Sequence, residues 1–124
     1  MDLTNFKFTK THEWVMVKDG VATIGITQHA VEELGDIVFV EFKPANSIAE
    51  KDSQIGTIES TKAASELFSP IGGKIMQVND QVIDDPQIVN ASPFEQGWMV
   101  KIEAKDLSEL DSLLTFTQYQ DLIK

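Results

Sequence analysis

The side chain best placed to do chemistry is Lys62, in the stretch Glu59-Ser60-Thr61-Lys62-Ala63-Ala64-Ser65-Glu66. Extended-looking arms flank it on both sides, which puts its amine at the tip of a hairpin. An exposed ε-amine can form an amide with a carboxylic acid cofactor, losing its charge and becoming the root of a long flexible tether. The small residues Ala63 and Ala64 would leave the nitrogen accessible, and the carboxylates of Glu59 and Glu66 could give a modifying enzyme a surface to recognise. Most lysines at such tips only carry charge into solvent. The residues by themselves leave both readings open.

Other chemistry finds little support. The chain contains no cysteine, which excludes disulfides, thiolate metal sites and cysteine nucleophiles. Its two histidines, His12 and His29, are seventeen positions apart and lack the i, i+4 spacing of helical metal ligands, so no metal site is expected. Phosphate-cradling glycine loops and the Gly-x-Ser-x-Gly nucleophile turn are absent as well. No carboxylate pattern singles out an acid/base pair. The residues give no support for hydrolysis, redox catalysis or phosphoryl transfer, so the chain is not expected to be an enzyme.

Net charge is −10, and all ten basic residues are lysine. Without arginine or a positive footprint, binding to nucleic acid or anionic membranes is not expected. Acidity suits docking against basic patches on partner proteins, and it also simply keeps a protein soluble. Hydrophobic residues make up 42% of the 124, enough for one modest core and a single domain spanning 1–124. Apolar runs such as Ile37–Val40 reach only four residues, too short to cross a bilayer, and no apolar stretch of signal-peptide length opens the chain. A cytoplasmic location is the resulting expectation, with a mature mitochondrial form left open.

The elements that must hold Lys62 out are legible in outline. Asp19-Gly20 between Trp14–Val17 and Val21–Ile26 predicts a two-residue hairpin turn. Thr27 predicts the cap of a short helix that turns Ala30, Val31 and Leu34 inward and stops at Gly35. Ile37–Phe42 predicts a strand with strict alternation, Ile37, Phe39 and Glu41 opposing Val38 and Val40. Ser47–Ser53 and the Asp-, Asn- and Pro-rich Asn79–Pro93 predict loops, the latter with one helical turn at most. Lys74–Val78 and Gly97–Glu103 predict further strands, with Trp98 in the core. Behind Asp106-x-x-Glu109, a capping-box pattern, Leu107, Leu110, Leu113 and Leu114 predict a helical tail over about 106–124 that ends in a short helix packing Tyr119, Leu122 and Ile123. About seven short strands with small helices indicate a β-barrel or sandwich.

Several blocks together carry a family resemblance. Thr11-His12-Glu13-Trp14-Val15, Val21–Thr27, Leu34–Val40, Glu59–Glu66, Pro86–Asn90, Gly97-Trp98 and Leu107–Leu110 resemble, in order, the landmarks of the glycine cleavage system H proteins. The resemblance covers nearly the whole chain. It implies a mostly β, lipoyl/biotinyl-type flattened barrel of two small sheets with short helices and a helical C-terminus. It also implies lipoic acid in amide linkage on Lys62. The arm would take an aminomethyl group from a pyridoxal-phosphate glycine decarboxylase to a tetrahydrofolate-dependent aminomethyltransferase. A flavin (FAD) dihydrolipoamide dehydrogenase would reoxidise it, and lipoylating enzymes would attach it. By the same resemblance Glu59 serves recognition by the lipoylating enzyme, and Glu13 and Glu66 lie near the loaded arm. His12 and Trp14 read as fold residues. A monomer suits a carrier that visits several active sites.

The sequence departs from the family in two places. Thr61 stands where an apolar β-branched residue is usual, and Phe42–Ser53 lacks turn glycines, with Asn46 and Lys51 near their places. Related carriers fit less well: biotin carriers usually frame the target lysine with methionines, and the lipoyl domains of 2-oxo acid dehydrogenases usually read Asp-Lys-Ala. A relay that passes lipoyl groups to other proteins and an unmodified interaction module both stay open on sequence.

Overall fold

The computed structural model describes residues 2–124. Positive φ at Asp19 (53°) and Gly20 (79°) closes the expected hairpin, because a type I′ turn needs left-handed backbone at both central positions. That hairpin joins β2 (Glu13–Lys18) to β3 (Val21–Ile26). With β1 (Lys7–Phe8), β5 (Ile48–Ala49), β8 (Gly73–Val78) and β9 (Val100–Ala104) it makes an antiparallel sheet in the order β1-β2-β3-β9-β8-β5. A second antiparallel sheet contains β4 (Ile37–Phe42), β6 (Gln54–Ser60) and β7 (Ala64–Phe68), in the order β4-β6-β7. The mostly β architecture of two sheets with short helices agrees with expectation.

One buried cluster links the sheets. Ile24, Ile75, Val100 and Ile102 from the larger sheet pack with Ile37, Val40, Ile55, Ile58 and Leu67 from the smaller. Each such side chain stabilises the fold by about 1.5–3 kcal/mol on burial. The small sheet, and the β6–β7 hairpin with it, is thereby fixed on the larger one. A second, aromatic cluster of Phe6, Phe8, Trp14 and Tyr119 closes the other side, with Phe8 and Tyr119 stacked at 4.8 Å.

Helix α1 (Gln28–Leu34) follows its sequence signals. The Thr27 hydroxyl accepts from the Ala30 amide, and the Gly35 amide closes onto the Val31 carbonyl. The reading of Asn79–Pro93 as a loop needs correction, because it holds α2 (Asp80–Asp84) and α3 (Gln87–Ala91). Each is five residues long and buries a single valine, Val82 or Val89. That is too short to produce a readable apolar period. The tail also differs. Asp106 caps a 3-10 helix over Leu107–Ser112, but Glu109 does not reciprocate; its carboxylate accepts from the Gly72 amide instead. The reciprocal box belongs to Thr115 and Gln118, which open α4 (Phe116–Leu122). Tyr119 is buried as expected, while Leu122 stays exposed.

Two further departures have local causes. A bulge in the β4–β6 pairing between Ile37 and Phe39 resets the alternation, so Ile37 and Val40 both face inward. Val38 and Phe39 are left 53% and 44% exposed. Strand β9 starts three residues later than expected. Trp98 lies half-buried at the edge of the aromatic cluster, with the Lys101 ammonium 4.8 Å from its ring centroid, and is not a core residue. In the glycine-poor segment, Asn46 (φ 76°) and Asp52 (φ 68°) take the left-handed conformation. Asn and Asp tolerate it best after glycine, so the turns form without glycine, and the second one falls on Asp52 and not on Lys51.

The tightest glycine is Gly73, where β8 meets β9. An added Cβ would lie 2.1 Å from the Glu103 carbonyl oxygen, a backbone atom that cannot swing aside. Gly73→Ala should therefore cost more than about 2 kcal/mol, read as a lowered urea midpoint with unchanged slope; an unchanged midpoint would contradict this packing.

Candidate functional site

The β6–β7 hairpin turns through Thr61, Lys62 and Ala63. Ser60 organises the turn. Its amide donates to the Ala63 carbonyl at 2.8 Å, and its hydroxyl oxygen accepts from the amides of Lys62 (3.2 Å) and Ala63 (3.0 Å). The Thr61 amide donates to the Asp36 carbonyl at 3.0 Å, tying the tip to the junction between α1 and β4. Asn90 in α3 then braces that junction from both sides. Its side-chain amide donates to the Gly35 carbonyl (2.8 Å), and its carbonyl oxygen accepts from the Ile37 amide (3.0 Å).

Lys62 itself is exposed, as are Thr61, Ala63 and Ala64. Its side chain runs over Gly35, where a Cβ would come within 2.8 Å of the lysine Cε and 3.6 Å of Nζ. Gly35 has φ 77° and ψ −148°, a combination open almost only to glycine. The lysine makes no ion pair among the described residues, whose salt bridges involve His12, His29 and Lys51. The amine is held in place at its root and left uncommitted at its end.

Register puts Glu59 opposite both Phe39 and Ala64, and Thr57 opposite both Glu41 and Glu66. These residues share the face turned away from Ile58 and Leu67, so Glu41, Glu59 and Glu66 form one acidic outer face below the tip. A shallow groove of about 480 Å³ runs along β7 on that side, lined by Gln54, Thr57, Ala64, Ser65, Glu66 and Phe68. A larger groove, about 550 Å³, is lined by Ile48, Lys51, Gly72, Lys74, Glu103 and Glu109 among others, and not by the hairpin tip.

Glu13 is not a surface carboxylate. It is 1% exposed and accepts hydrogen bonds from the Thr9 and Thr11 hydroxyls and from the Phe68 amide at 3.2 Å. Burial pushes its carboxyl above the usual range, and those three donors partly offset the shift. It thus fastens the start of β2 to the foot of β7.

The glycine cleavage H-protein family model matches residues 6–124. The chain belongs to that family. It is 49% and 48% identical to glycine cleavage system H proteins from two strains of Staphylococcus epidermidis, in each case over 97% of this chain and 95% of the relative. A crystal structure of a glycine cleavage system H protein from Mycobacterium marinum superposes with a TM-score of 0.88 at 32% identity, covering 95% of both chains. The fold is therefore of the lipoyl-domain type, and the chain is a lipoyl-carrier component of glycine cleavage by family.

Within this H-protein fold, the unusual Thr61 is accommodated simply. Only its backbone amide is engaged in the brace, and its side chain is exposed. Sequence reasoning missed Ser60, Asp36 and Asn90 as supports of the tip. Asn90 was visible only as part of a family block, and a backbone carbonyl such as that of Asp36 leaves no signal in a sequence. The two histidines, distant in sequence, meet in the fold. A turn with His12 at φ 72° brings their ring centroids to 4.7 Å, although seventeen residues of chain separate them.

The buried carboxyl of Glu13 has a pH signature. A folded-state pKa raised above the unfolded value means that the native state holds the proton more tightly. Stability from this group is therefore greatest in acid and declines as pH rises from the ordinary carboxylate range upward. Glu13→Gln should remove that decline, so the difference in denaturant midpoint between wild type and variant should change as pH rises through that range. A pH-independent difference would contradict the assignment.

Proposed function

We propose that this protein carries a lipoyl group in amide linkage on Lys62 and shuttles an aminomethyl group from glycine decarboxylase to aminomethyltransferase. The observation that supports this most strongly is the uncommitted Lys62 amine on a braced tip with small neighbours. These residues fit the cofactor: an acyl group of extended form needs an accessible nitrogen and room around it, and Ala63 and Ala64 leave both. When attached, the cofactor supplies a reducible disulfide on a swinging arm, with one sulfur able to hold the aminomethyl cargo. A tether of this kind replaces free diffusion with a high local concentration at each partner's active site. The chemistry of bond breaking belongs to the partners and their pyridoxal phosphate, tetrahydrofolate and FAD. This protein is a carrier and not itself an enzyme.

The chain's own residues root, expose and shelter the arm. Ser60 and the Asp36 carbonyl fix the direction in which Lys62 leaves the scaffold. Glu59, exposed and directly behind the tip, is the carboxylate offered to the lipoylating enzyme. Glu66 is the third residue of β7, four positions beyond Lys62, beside the groove into which the arm can fold back. There its carboxylate can accept a charge-assisted hydrogen bond from the amino group of the cargo and slow its loss to water. Glu13 would join such a contact only by giving up a Thr9 or Thr11 hydroxyl. The acidic outer face favours encounter with basic partner surfaces. We place the protein in the cytoplasm as a monomer that visits glycine decarboxylase, aminomethyltransferase and dihydrolipoamide dehydrogenase in turn. A relay of lipoyl groups to other proteins would use the same lysine, but no feature of the tip favours it.

Lys62→Arg should keep the domain folded, within about 0.5 kcal/mol of wild type, since an exposed tip contributes little stability. It should accept no lipoyl group and support no aminomethyl transfer in a reconstituted system; retained transfer would defeat the proposal. Glu66→Ala should be lipoylated normally yet lose its cargo to water severalfold faster, and an unchanged lifetime of the loaded protein would remove Glu66 from the site.

A further inference from the structure

His12, His29 and Glu33 lie at the junction of β2 and α1. Each offers one ligand atom, and the three atoms fall within 4.8 Å of one another. The His29 Nε2 is 3.2 Å from a Glu33 carboxylate oxygen, one helical turn away, and the His12 Nε2 is 4.0 Å from the same oxygen. Ligand atoms around a tetrahedral ion with bonds of about 2.0–2.2 Å stand about 3.4 Å apart. The histidine–glutamate pair is already close to that separation. Glu33, whose side chain is 61% exposed, can swing to bring the third atom in.

The surroundings suit coordination. His12 Nδ1 lies 2.8 Å from the Tyr119 hydroxyl, which lies 2.7 Å from the buried Thr27 hydroxyl. We assign Nδ1–H as donor to the tyrosine oxygen and the tyrosine O–H as donor to Thr27. This is the tautomer a metal requires, because it leaves the lone pair of His12 Nε2 facing His29 and Glu33. Outer hydrogen bonds of this type orient a metal-ligating imidazole and fix its tautomer. The backbone is equally fixed, because the Thr27 amide donates to the His12 carbonyl at 3.0 Å, locking the turn to the first turn of α1.

We propose that His12, His29 and Glu33 form a binding site for a divalent first-row transition metal, zinc foremost, with three protein ligands and a fourth position open to solvent. Two imidazoles and one carboxylate are a zinc-type donor set, and the partial exposure of both rings leaves room for water or an added ligand. Such a site would run against the reading of the sequence, which expects no metal site. It uses none of the residues of the Lys62 tip and stands independently of the lipoyl proposal.

The test is titration of the full-length, untagged protein with Zn²⁺ alone. Unlipoylated protein is used so that no arm thiols compete. Calorimetry should show one saturable ion per chain, and the ring ¹⁵N signals of His12 and His29 should shift with occupancy. Glu33→Gln should weaken binding about tenfold or more, His29→Ala should abolish the stoichiometric event, and His12→Asn, which tolerates the left-handed turn, should do the same in a folded chain. No saturable binding, affinity undiminished in these variants, or binding that leaves both imidazoles unshifted would overturn the site and reduce His29–Glu33 to an i, i+4 surface pair.

Discussion

A single backbone hydrogen bond, from the Thr61 amide to the Asp36 carbonyl, connects the end of a hairpin to the body of this protein. Without it, the tip would be attached only through its two arms. With it, the turn is secured to a junction that Asn90 clamps on both flanks. Each of these bonds contributes only about 1 kcal/mol net, but their placement matters more than their sum. They occupy the backbone around Lys62 and ask nothing of its ammonium. The carrier role proposed for Lys62 calls for this division, since any side-chain partner would compete with acylation and any looseness at the root would blur the arm's reach.

The same constraint explains what lies beneath. The small sheet can project a hairpin because Ile37, Val40, Ile55, Ile58 and Leu67 seat it on the larger sheet. Glu13 adds a polar fastening at the foot of β7, buried and satisfied, where a water-exposed carboxylate would hold nothing. Inward-facing residues thus settle position, and outward-facing Glu41, Glu59 and Glu66 are left free to set the charge seen by partners.

Legibility followed the range of the signal. The Asp19-Gly20 turn, the Thr27 cap and the Gly35 stop are decided by residues within a few positions, and each appeared where the sequence put it. The Lys62 tip was legible for the same reason. What escaped were features set by distant contacts. The β4 bulge depends on pairing with β6, and α2 and α3 are helices because Val82 and Val89 find a core. Glu109 abandons its expected cap for the Gly72 amide across the fold. Glu13 was marked only by resemblance, and its burial shows once Thr9, Thr11 and Phe68 converge on it. Sequence spacing also hid the pairing of His12 with His29, which exists only once the start of α1 meets the turn that precedes β2.

The most direct test is a peptide-level mass spectrum of the protein purified from its native host under lipoate-replete growth. The account requires a lipoyl amide on the peptide containing Lys62, with the other nine lysines unmodified. Lipoate on a different lysine, or a bare Lys62 in cells whose other lipoate-dependent proteins are fully loaded, would contradict it.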